Sequence, residues 1–327
     1  MEKIAVIGAG SWGTTLACLL GNKGYNVNLW VFEKELVQEI KAGRENKQYL
    51  PGIELPPSVK PNSSLKEVIL DANLIVTAVP SQFLRSTAKE FSSFVAKNTI
   101  IVSVTKGLEH GTSKRMSQIL EEELPSHVKI VALSGPNHAE EVSRKIPTAC
   151  VIASKDLECL NAVKEVFSTN YFKVYPLDDI TGVEVCGAVK NITAIATGVC
   201  DGLGFGDNAH GAIITLGLTE MNRFGRVFGA KRATCYGLAG VGDLVATCTS
   251  KHSRNRFVGQ KLAEGKSLEE IKKEMHGMVA EGVKTTESVY EFSLKHNLDM
   301  PLTTQAYKVL YEKKDLNEAI ADLIKLI

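Results

Sequence analysis

Residues 3–13 read KIAVIGAGSWG, an apolar run followed by three glycines in the spacing G-x-G-x-x-G. The apolar run predicts a buried strand, and TTLACLLGNKG after the glycines predicts a helix. A second apolar run, NVNLWV, ends just before Phe32 and Glu33, and Glu33 lies twenty residues beyond Gly13. The glycines alone would fit any flexible loop, but with a strand, a helix and a following acidic residue they indicate a dinucleotide-binding unit.

Each position in this pattern has a physical role toward a dinucleotide. Gly8 allows the tight turn, Gly10 has no Cβ to hold the backbone away from a pyrophosphate, and Gly13 permits close packing of helix and strand. The helix N-terminus offers N–H donors to the anion. Glu33 can accept hydrogen bonds from the adenosine ribose and would repel a 2′-phosphate. We therefore expect a preference for NAD(H), while Lys34 beside Glu33 leaves NADP(H) open.

The first half of the chain continues to alternate apolar runs with helical patterns. Further strands are predicted at residues 73–80, 98–106, 129–136, 149–154 and 171–176. Nearly all-apolar strands separated by helices indicate a parallel sheet covered on both faces, which is the doubly wound, Rossmann-type α/β class. After residue 188 helical spacing takes over. We predict a dinucleotide-binding domain over residues 1–188 and an all-helical substrate domain over residues 189–327.

Composition narrows the classes of function. The 327 residues carry 38 basic and 37 acidic side chains, so no excess charge favours nucleic acid or a membrane surface as a partner. No apolar run reaches the ~18 residues that a membrane-spanning helix needs. The seven cysteines are scattered without a C-x-x-C pair, which argues against zinc and for a reducing compartment. We expect a cytoplasmic protein with small-molecule partners and no metal.

A nicotinamide enzyme that acts on an alcohol needs a proton acceptor, and two lysines are candidates. Lys190 lies in GAVKNITAIATGV and is the only charged residue between Val185 and Cys200. Such surroundings lower the pKa of a lysine, although a lysine that extends its ammonium to solvent would also fit. Lys106 follows a predicted strand, where it either faces a ligand or is solvated. His210 is either at the edge of a site or in an ordinary loop.

Two polar clusters follow in the helical half. Asp243 stands after a glycine-rich bend among apolar residues, and a buried carboxylate usually requires a cationic partner. In TSKHSRNRF, the hydroxyl, guanidinium and amide of Ser253, Arg254 and Asn255 suit the oxygens of a phosphate. The alternative for the second cluster is an exposed polar loop that caps a helix.

Eight stretches together carry a resemblance to a known family. They are GAGSWGTTLA, VPSQFLR, SVTKGLE, LSGPNHAEEV, GAVKNITAIATG, GLAGVGDL, SKHSRNRFVG and VAEGVKTT. In this order they span nearly the whole chain, which resembles the soluble NAD(P)-dependent glycerol-3-phosphate dehydrogenases.

The resemblance implies that sn-glycerol 3-phosphate and dihydroxyacetone phosphate are interconverted by hydride transfer at C2, supplying glycerol 3-phosphate for phospholipid synthesis. It makes Lys190 the proton acceptor. The substrate-binding residues that it implies are Lys106, Gly135, Asn137, Lys190, Asp243, Ser253, Arg254 and Asn255. The cofactor-binding residues that it implies are Gly8, Gly10, Ser11, Trp12, Gly13, Phe32, Glu33, Lys106, Ala139, Arg254, Val279 and Glu281.

Two other functions are weighed against this one. A related β-hydroxyacid dehydrogenase would act on a carboxylate such as 3-hydroxyisobutyrate. A non-catalytic dinucleotide sensor would need a recognition module, and the sequence has neither a basic helix–turn–helix pattern nor a charged tail. The helical half also offers surfaces for a homodimer.

Overall fold

The structure, a computed structural model, describes residues 3–275 and 278–325. The chain divides into two compact units: Met1–Thr105 with Met116–Ile180, and Lys106–Arg115 with Thr181–Ile327. The sequence placed the division at residue 188, where the helical pattern becomes evident. The division lies earlier because the long helix that contains residue 188 already begins at Ile180. Nothing in the sequence pattern assigns residues 106–115 to the second unit.

The first unit is built on an eight-stranded sheet with the order β3-β2-β1-β4-β5-β6-β7-β8. The strands are β1 (Lys3–Ile7), β2 (Asn26–Trp30), β3 (Val59–Asn62), β4 (Leu74–Thr77), β5 (Ile100–Ser103), β6 (Lys129–Ser134), β7 (Thr148–Ser154) and β8 (Phe172–Leu177). All neighbours are parallel except β6 and β7. The predicted doubly wound class is confirmed, and the antiparallel junction corrects the expectation of a wholly parallel sheet.

Seven α-helices connect the described strands of this unit. They are α1 (Ser11–Asn22), α2 (Lys34–Gly43), α3 (Leu65–Ile69), α4 (Leu84–Phe91), α5 (Met116–Glu123), α6 (Ala139–Val142) and α7 (Glu158–Phe167). Strands β4 and β5 are buried along their whole length, as expected for a sheet covered on both faces. Because β1, β2, β4, β5 and β6 are parallel, the residues that follow them lie at one edge of the sheet. The glycine loop, Glu33 and Gly135 all belong to this edge.

In the second unit every named element of the described residues is helical. The helices are α8 (Ile180–Gly202), α9 (Asp207–Val227), α10 (Arg232–Cys235), α11 (Asp243–Thr249), α12 (Arg254–Ala263), α13 (Leu268–Glu274), α14 (Glu281–Lys295), α15 (Pro301–Glu312) and α16 (Leu316–Ile324), with a π-helical turn at Leu238–Gly242. An apolar stripe of α9 packs into the core of this unit, with Met221 and Phe224 fully buried.

Helix α8 is long and apolar enough to cross a membrane, and 94% of its most apolar 18-residue window is buried inside the protein. Glu184 and Lys190 interrupt its apolar residues, so the sequence has no uninterrupted apolar run over this helix. Both charged side chains are buried. A helix covered in this way has the surroundings of a core helix.

Candidate active site

The glycine loop of the first unit is shaped by close backbone contacts. Gly8 follows β1 with a φ of +112°, and a Cβ there would lie 2.7 Å from the carbonyl oxygen of Ala78. A Cβ at Gly13 would overlap the carbonyl oxygen of Gly8 itself. Neither position accepts a side chain without moving the backbone, so sterics restrict the shape of this turn.

The start of helix α1 has the features of an anion site. The helix begins at Ser11, and Gly10 at its N-cap provides no side chain to bond the free N–H groups. A Cβ at Gly10 would meet no atom within 4 Å. The buried indole N–H of Trp12 has no hydrogen-bond partner among the described residues. Open space, free donors and an unused buried donor fit a bound dinucleotide pyrophosphate.

Asn46 supports this loop, although it is not among the residues predicted from the sequence. Its amide is fully buried and donates to the carbonyl of Ala9 at 2.8 Å and to the hydroxyl of Thr14 at 2.9 Å. Thr14 in turn donates to Ala9. Asn46 stands in a polar stretch without periodicity, so no pattern distinguishes it from the residues beside it.

Glu33, just after β2, is held by a hydrogen bond from the Tyr49 hydroxyl at 2.9 Å. Burial, together with the hydrogen bond and charge of Glu33, raises the pKa of Tyr49 to about 12. Tyr49 therefore stays protonated and donates, so the Glu33 carboxylate has a fixed position. Phe32 beside it is 76% exposed, with its ring edge-on to Trp30 at 5.9 Å. Glu33 and Phe32 thus lie at the sheet edge where a parallel sheet binds a nucleotide.

The segment after β6 carries three of the other predicted residues. Gly135 has a φ of +140°, and a Cβ there would lie 2.9 Å from Cys150 Cα on the antiparallel strand β7. Asn137 is buried in the following loop. Ala139 begins α6, and its carbonyl accepts a hydrogen bond from Thr15 of α1 at 3.3 Å. This bond brings the segment next to the helix that follows the glycine loop.

The second unit brings three of the predicted polar residues into direct contact. The carboxylate of Asp243 accepts from Lys190 Nζ through Oδ1 and from Lys106 Nζ through Oδ2, both at 2.8 Å. Lys190 also donates to the hydroxyl of Thr247, which itself donates to the Asp243 carbonyl at 2.6 Å. Lys190 and Asp243 are 4% and 2% exposed. We refer to Lys106, Lys190, Asp243 and Thr247 as the lysine–aspartate group.

Thr247 was missed at the level of sequence, although a signal for it exists. It stands four residues after Asp243 on α11, and residues at i and i+4 share a helix face. Asp243 is placed by the π-helical turn Leu238–Gly242, in which a Cβ at Gly240 would overlap the carbonyl of Cys235. The glycine-rich bend therefore lets the backbone pack closely and puts a carboxylate on the buried face of α11, at its start.

Electrostatics in the lysine–aspartate group favour a titratable Lys190. Burial lowers the pKa of Lys190 to about 8; the Asp243 carboxylate opposes this shift and the Lys106 ammonium adds to it. Burial raises the pKa of Asp243, but the charges of Lys106 and Lys190 outweigh it, so that its pKa lies below the usual value. The group thus combines a stable carboxylate with an amine that changes charge near neutral pH.

Ser253, Arg254 and Asn255 form the first turn of α12 and its cap. Ser253 accepts from the backbone N–H of Arg256 at 3.2 Å, and the Arg254 side chain is exposed. Ser253 caps the helix, as the second alternative expects, but Ser253 and Asn255 are buried, so this turn is not an exposed loop. The hydroxyl hydrogen of Ser253 is still available to donate. The positive end of a helix and an exposed guanidinium lie together.

Asn255 connects this turn to two other predicted regions. Its amide donates to Asn191 Oδ1 on α8, one residue from Lys190, and accepts from the N–H of Gly282 on α14, both at 2.9 Å. Glu281 is the first residue of α14, and Val279, 38% exposed, lies just before it. One amide N–H of Asn255 is not used by these bonds and can donate to a ligand.

Comparisons with known proteins agree across the chain. The family models described as NAD-dependent glycerol-3-phosphate dehydrogenase N-terminus and C-terminus match residues 3–160 and 179–321. The glycerol-3-phosphate dehydrogenase [NAD(P)+] of Chlorobium phaeobacteroides is 49% identical over 98% of this chain and 97% of its own length. The crystal structure of glycerol-3-phosphate dehydrogenase from Coxiella burnetii is 41% identical with a TM-score of 0.95, covering 99% of this chain and 98% of that one. The chain therefore belongs to the NAD-dependent glycerol-3-phosphate dehydrogenase family.

Proposed function

We propose that this protein is an NAD(P)-dependent glycerol-3-phosphate dehydrogenase that interconverts sn-glycerol 3-phosphate and dihydroxyacetone phosphate by hydride transfer at C2. The observation that supports this most strongly is the lysine–aspartate group: a buried amine whose pKa is about 8, bonded to a carboxylate that stays ionised. Alcohol oxidation needs such a proton acceptor, and ketone reduction needs the same group as a donor. Its family membership fits this activity and a supply of glycerol 3-phosphate for phospholipid synthesis.

Lys190 is proposed to hold and move the proton of the C2 hydroxyl. As a neutral amine it has two N–H groups and one lone pair. The two N–H groups satisfy the two acceptors that it contacts, Asp243 Oδ1 and Thr247 Oγ1. The lone pair is then left for the substrate hydroxyl, and in the reverse direction the third N–H of the ammonium returns the proton. A bound nicotinamide supplies the hydride acceptor or donor.

Lys106 and Asp243 would keep this amine in place. Asp243 accepts from both lysines. Its carboxylate faces the Lys106 ammonium, and it faces a second positive charge when Lys190 is protonated. Lys106 is the more exposed of the two lysines, with a side chain that is 19% exposed. It can therefore also donate to the oxygen on C2 of the substrate, as the resemblance implies.

The substrate phosphate is assigned to Ser253, Arg254 and Asn255, with Gly135 and Asn137 completing the substrate set. The hydroxyl hydrogen of Ser253, the exposed guanidinium of Arg254 and the unused N–H of Asn255 are three donors at a helix N-terminus. Such donors suit a dianionic phosphate, and they orient the substrate through a part that does not react. Arg254→Ala should raise the KM for dihydroxyacetone phosphate by about tenfold or more. An unchanged KM would count against a phosphate role for Arg254.

The cofactor is assigned to the glycine loop, with NAD(H) preferred over NADP(H). Gly8, Gly10 and Gly13 with Ser11 and Trp12 would surround the pyrophosphate, and Phe32 and Glu33 the adenosine. The Glu33 carboxylate, held by Tyr49, suits a ribose diol and would repel a 2′-phosphate. The rest of the cofactor set that the resemblance implies is Lys106, Ala139, Arg254, Val279 and Glu281.

The deciding experiment measures initial rates of NADH and NADPH oxidation side by side, driven by dihydroxyacetone phosphate. Rapid oxidation with this substrate and a higher kcat/KM for NADH is the expected result. The 3-oxo acid that corresponds to 3-hydroxyisobutyrate is the matched control for a β-hydroxyacid dehydrogenase. Turnover of that control alone, or of neither compound, would contradict the proposal, and the second outcome would favour a dinucleotide sensor.

We further propose a cytoplasmic homodimer that does not associate with membranes. The second unit exposes several large apolar side chains, which such a dimer could cover; they include Phe205, Val227, Tyr236, Val245 and Leu294. The molar mass from light scattering should be twice the 35.5 kDa of one chain. A monomeric mass at micromolar concentration would contradict the dimer.

A further inference from the structure

Helices α8 and α12 touch through their backbones. A Cβ at Gly198 of α8 would overlap the carbonyl oxygen of Arg256, and a Cβ at Gly259 of α12 would overlap the carbonyl oxygen of Ile195. Helices usually pack with their axes 8–10 Å or so apart, separated by side chains. Here glycines replace those side chains at two points. The helix that bears Lys190 and the helix that begins with Arg254 therefore have a closely defined relative position.

A charged cluster lies at the same crossing. Asp201, near the end of α8, accepts from Arg256 Nε through Oδ2, and His210 Nε2 lies 2.9 Å from its Oδ1. These side chains are 16%, 20% and 22% exposed, so the ion pair is well shielded from solvent. His210 Nδ1 is also 3.2 Å from the carbonyl of Gly206, which places it at the start of α9. His210 therefore lies in the first turn of α9, beside the Asp201–Arg256 pair, and not in an ordinary loop.

Arg256 belongs to the same helical turn as the proposed phosphate donors. It follows Arg254 by two residues, its backbone N–H is bonded by Ser253, and its Nη1 donates to the carbonyl of Ser250 at 3.4 Å. The guanidinium therefore connects the loop before α12, the first turn of α12 and the end of α8. A planar guanidinium with several donors holds such a position more rigidly than a flexible ammonium.

We propose that Asp201 and Arg256 are positioning residues for the phosphate-binding turn Ser253–Asn255. Neither side chain bonds the phosphate in this proposal. Both fix the direction in which the donors of the turn point relative to Lys190. The proposal rests on the assignment of that turn to substrate phosphate. Small displacements of binding groups have large kinetic effects, so loss of the ion pair should weaken recognition of the phosphate more than that of the cofactor.

The first test is Asp201→Asn in the full-length protein, which removes the charge and keeps the shape. We expect the KM for dihydroxyacetone phosphate to rise roughly tenfold, the KM for NADH to stay within about twofold, and the folded state to be retained. The matched control is Asp299→Asn, which breaks an Asp–Arg pair with Arg223 in the same unit; Asp299 is 79% exposed. This control should leave all three quantities unchanged.

Arg256→Met and the double variant show whether the pair acts as a unit. If it does, the double variant should have nearly the same KM as either single variant, because the second substitution removes nothing further. Additive effects on KM, an equal rise in the KM for NADH, or an unchanged KM for dihydroxyacetone phosphate would each overturn the proposal. If Asp201→Asn does not fold, Arg256→Lys takes its place, since it keeps the charge and loses the Nε donor.

Calorimetric titration with inorganic phosphate separates this inference from the proposed function. Weaker phosphate binding by Asp201→Asn than by the unaltered protein supports the positioning role, even if dihydroxyacetone phosphate is not turned over. Equal phosphate affinity in the two proteins overturns the positioning role whatever the activity. A protein that reduces dihydroxyacetone phosphate but shows no phosphate binding in this titration also overturns it, while leaving the proposed reaction intact.

Discussion

In the first unit the glycine loop depends on positions that have no side chain, whereas in the second unit the lysine–aspartate group is made by side chains that bond one another. Gly8 and Gly13 let two stretches of backbone meet, and Gly10 leaves space. Lys190 and Asp243 are instead buried titratable side chains that bond each other, and the partly exposed Lys106 bonds the same carboxylate. A loop made by sterics is recognisable from residue spacing. A group made by charge pairs depends on contacts across 137 residues of chain between Lys106 and Asp243.

The largest expected effect is a loss of kcat from a substitution in the second unit that leaves NADH binding by the first unit intact. Lys190→Met should lower kcat by two or more orders of magnitude, in the range found when a general base is removed. NADH affinity, followed by fluorescence titration, should be nearly unchanged because the glycine loop does not depend on Lys190.

The matched control for this substitution is Lys266→Met, which removes a lysine paired with Glu274 in the same unit. We expect full activity from it. Full activity from Lys190→Met as well would remove Lys190 from the mechanism, and loss of NADH affinity would mean that the two regions are not separable in this way.

A pair of glycine substitutions tests whether sterics shape the loop. Gly13→Ala places a methyl group on the Gly8 carbonyl and should lower the free energy of unfolding by about 1–3 kcal/mol, in addition to weakening NADH binding. Gly10→Ala meets no atom within 4 Å and has an ordinary φ of −64°, so stability should be retained.

Gly10→Ala should nevertheless weaken NADH binding about tenfold or more, because its methyl group would lie where the pyrophosphate approaches. Thermal unfolding and NADH titration of both variants decide the matter. Equal melting temperatures for the two variants would contradict the steric account, and normal NADH affinity in Gly10→Ala would contradict the assignment of the loop to the cofactor.

The same difference, between local spacing and long-range contacts, explains which parts of the two regions were predictable from the sequence. The glycine spacing, β1, α1 and Glu33 were all evident, because they depend on neighbours within about thirty residues. Strand β3 was missed since its sequence, VKPN, contains Pro61 and a lysine and lies at the sheet edge, where proline is tolerated. The antiparallel direction of β7 was not predictable, because an apolar run carries no information about direction.

In the second unit the residue types were predicted but their partners were not. The composition around Lys190 indicated a buried amine, and Asp243 indicated a carboxylate in need of a cation. That they bond each other, and that Thr247 completes the contacts of the amine, depends on how α8 and α11 pack. Family resemblance supplied the roles that local pattern could not.

Cofactor preference gives a smaller effect and concerns the first unit alone. Glu33→Ala should lower kcat/KM with NADH roughly tenfold, since charge-assisted hydrogen bonds to the ribose are lost, and should raise kcat/KM with NADPH, since the repulsion of the 2′-phosphate is removed. Tyr49→Phe is a milder variant that keeps the carboxylate and removes only its hydrogen bond at 2.9 Å. If the ratio of kcat/KM with NADH to kcat/KM with NADPH is the same in Glu33→Ala and the unaltered protein, residues other than Glu33 determine the cofactor preference.

The pH profile gives the smallest effect and concerns the second unit alone. Alcohol oxidation requires neutral Lys190, whose pKa is about 8, so kcat/KM for glycerol 3-phosphate should rise with pH and level off above about 8. Ketone reduction requires the ammonium and should fall across the same range. Lys106→Met removes a positive charge that lowers the pKa of Lys190 and leaves Asp243 to Lys190 alone. Both changes stabilise the ammonium, so the midpoint should move to higher pH. A midpoint that does not move, or that moves to lower pH, would mean that Lys106 does not act on Lys190 through its charge, and the contact with Asp243 would then serve position only.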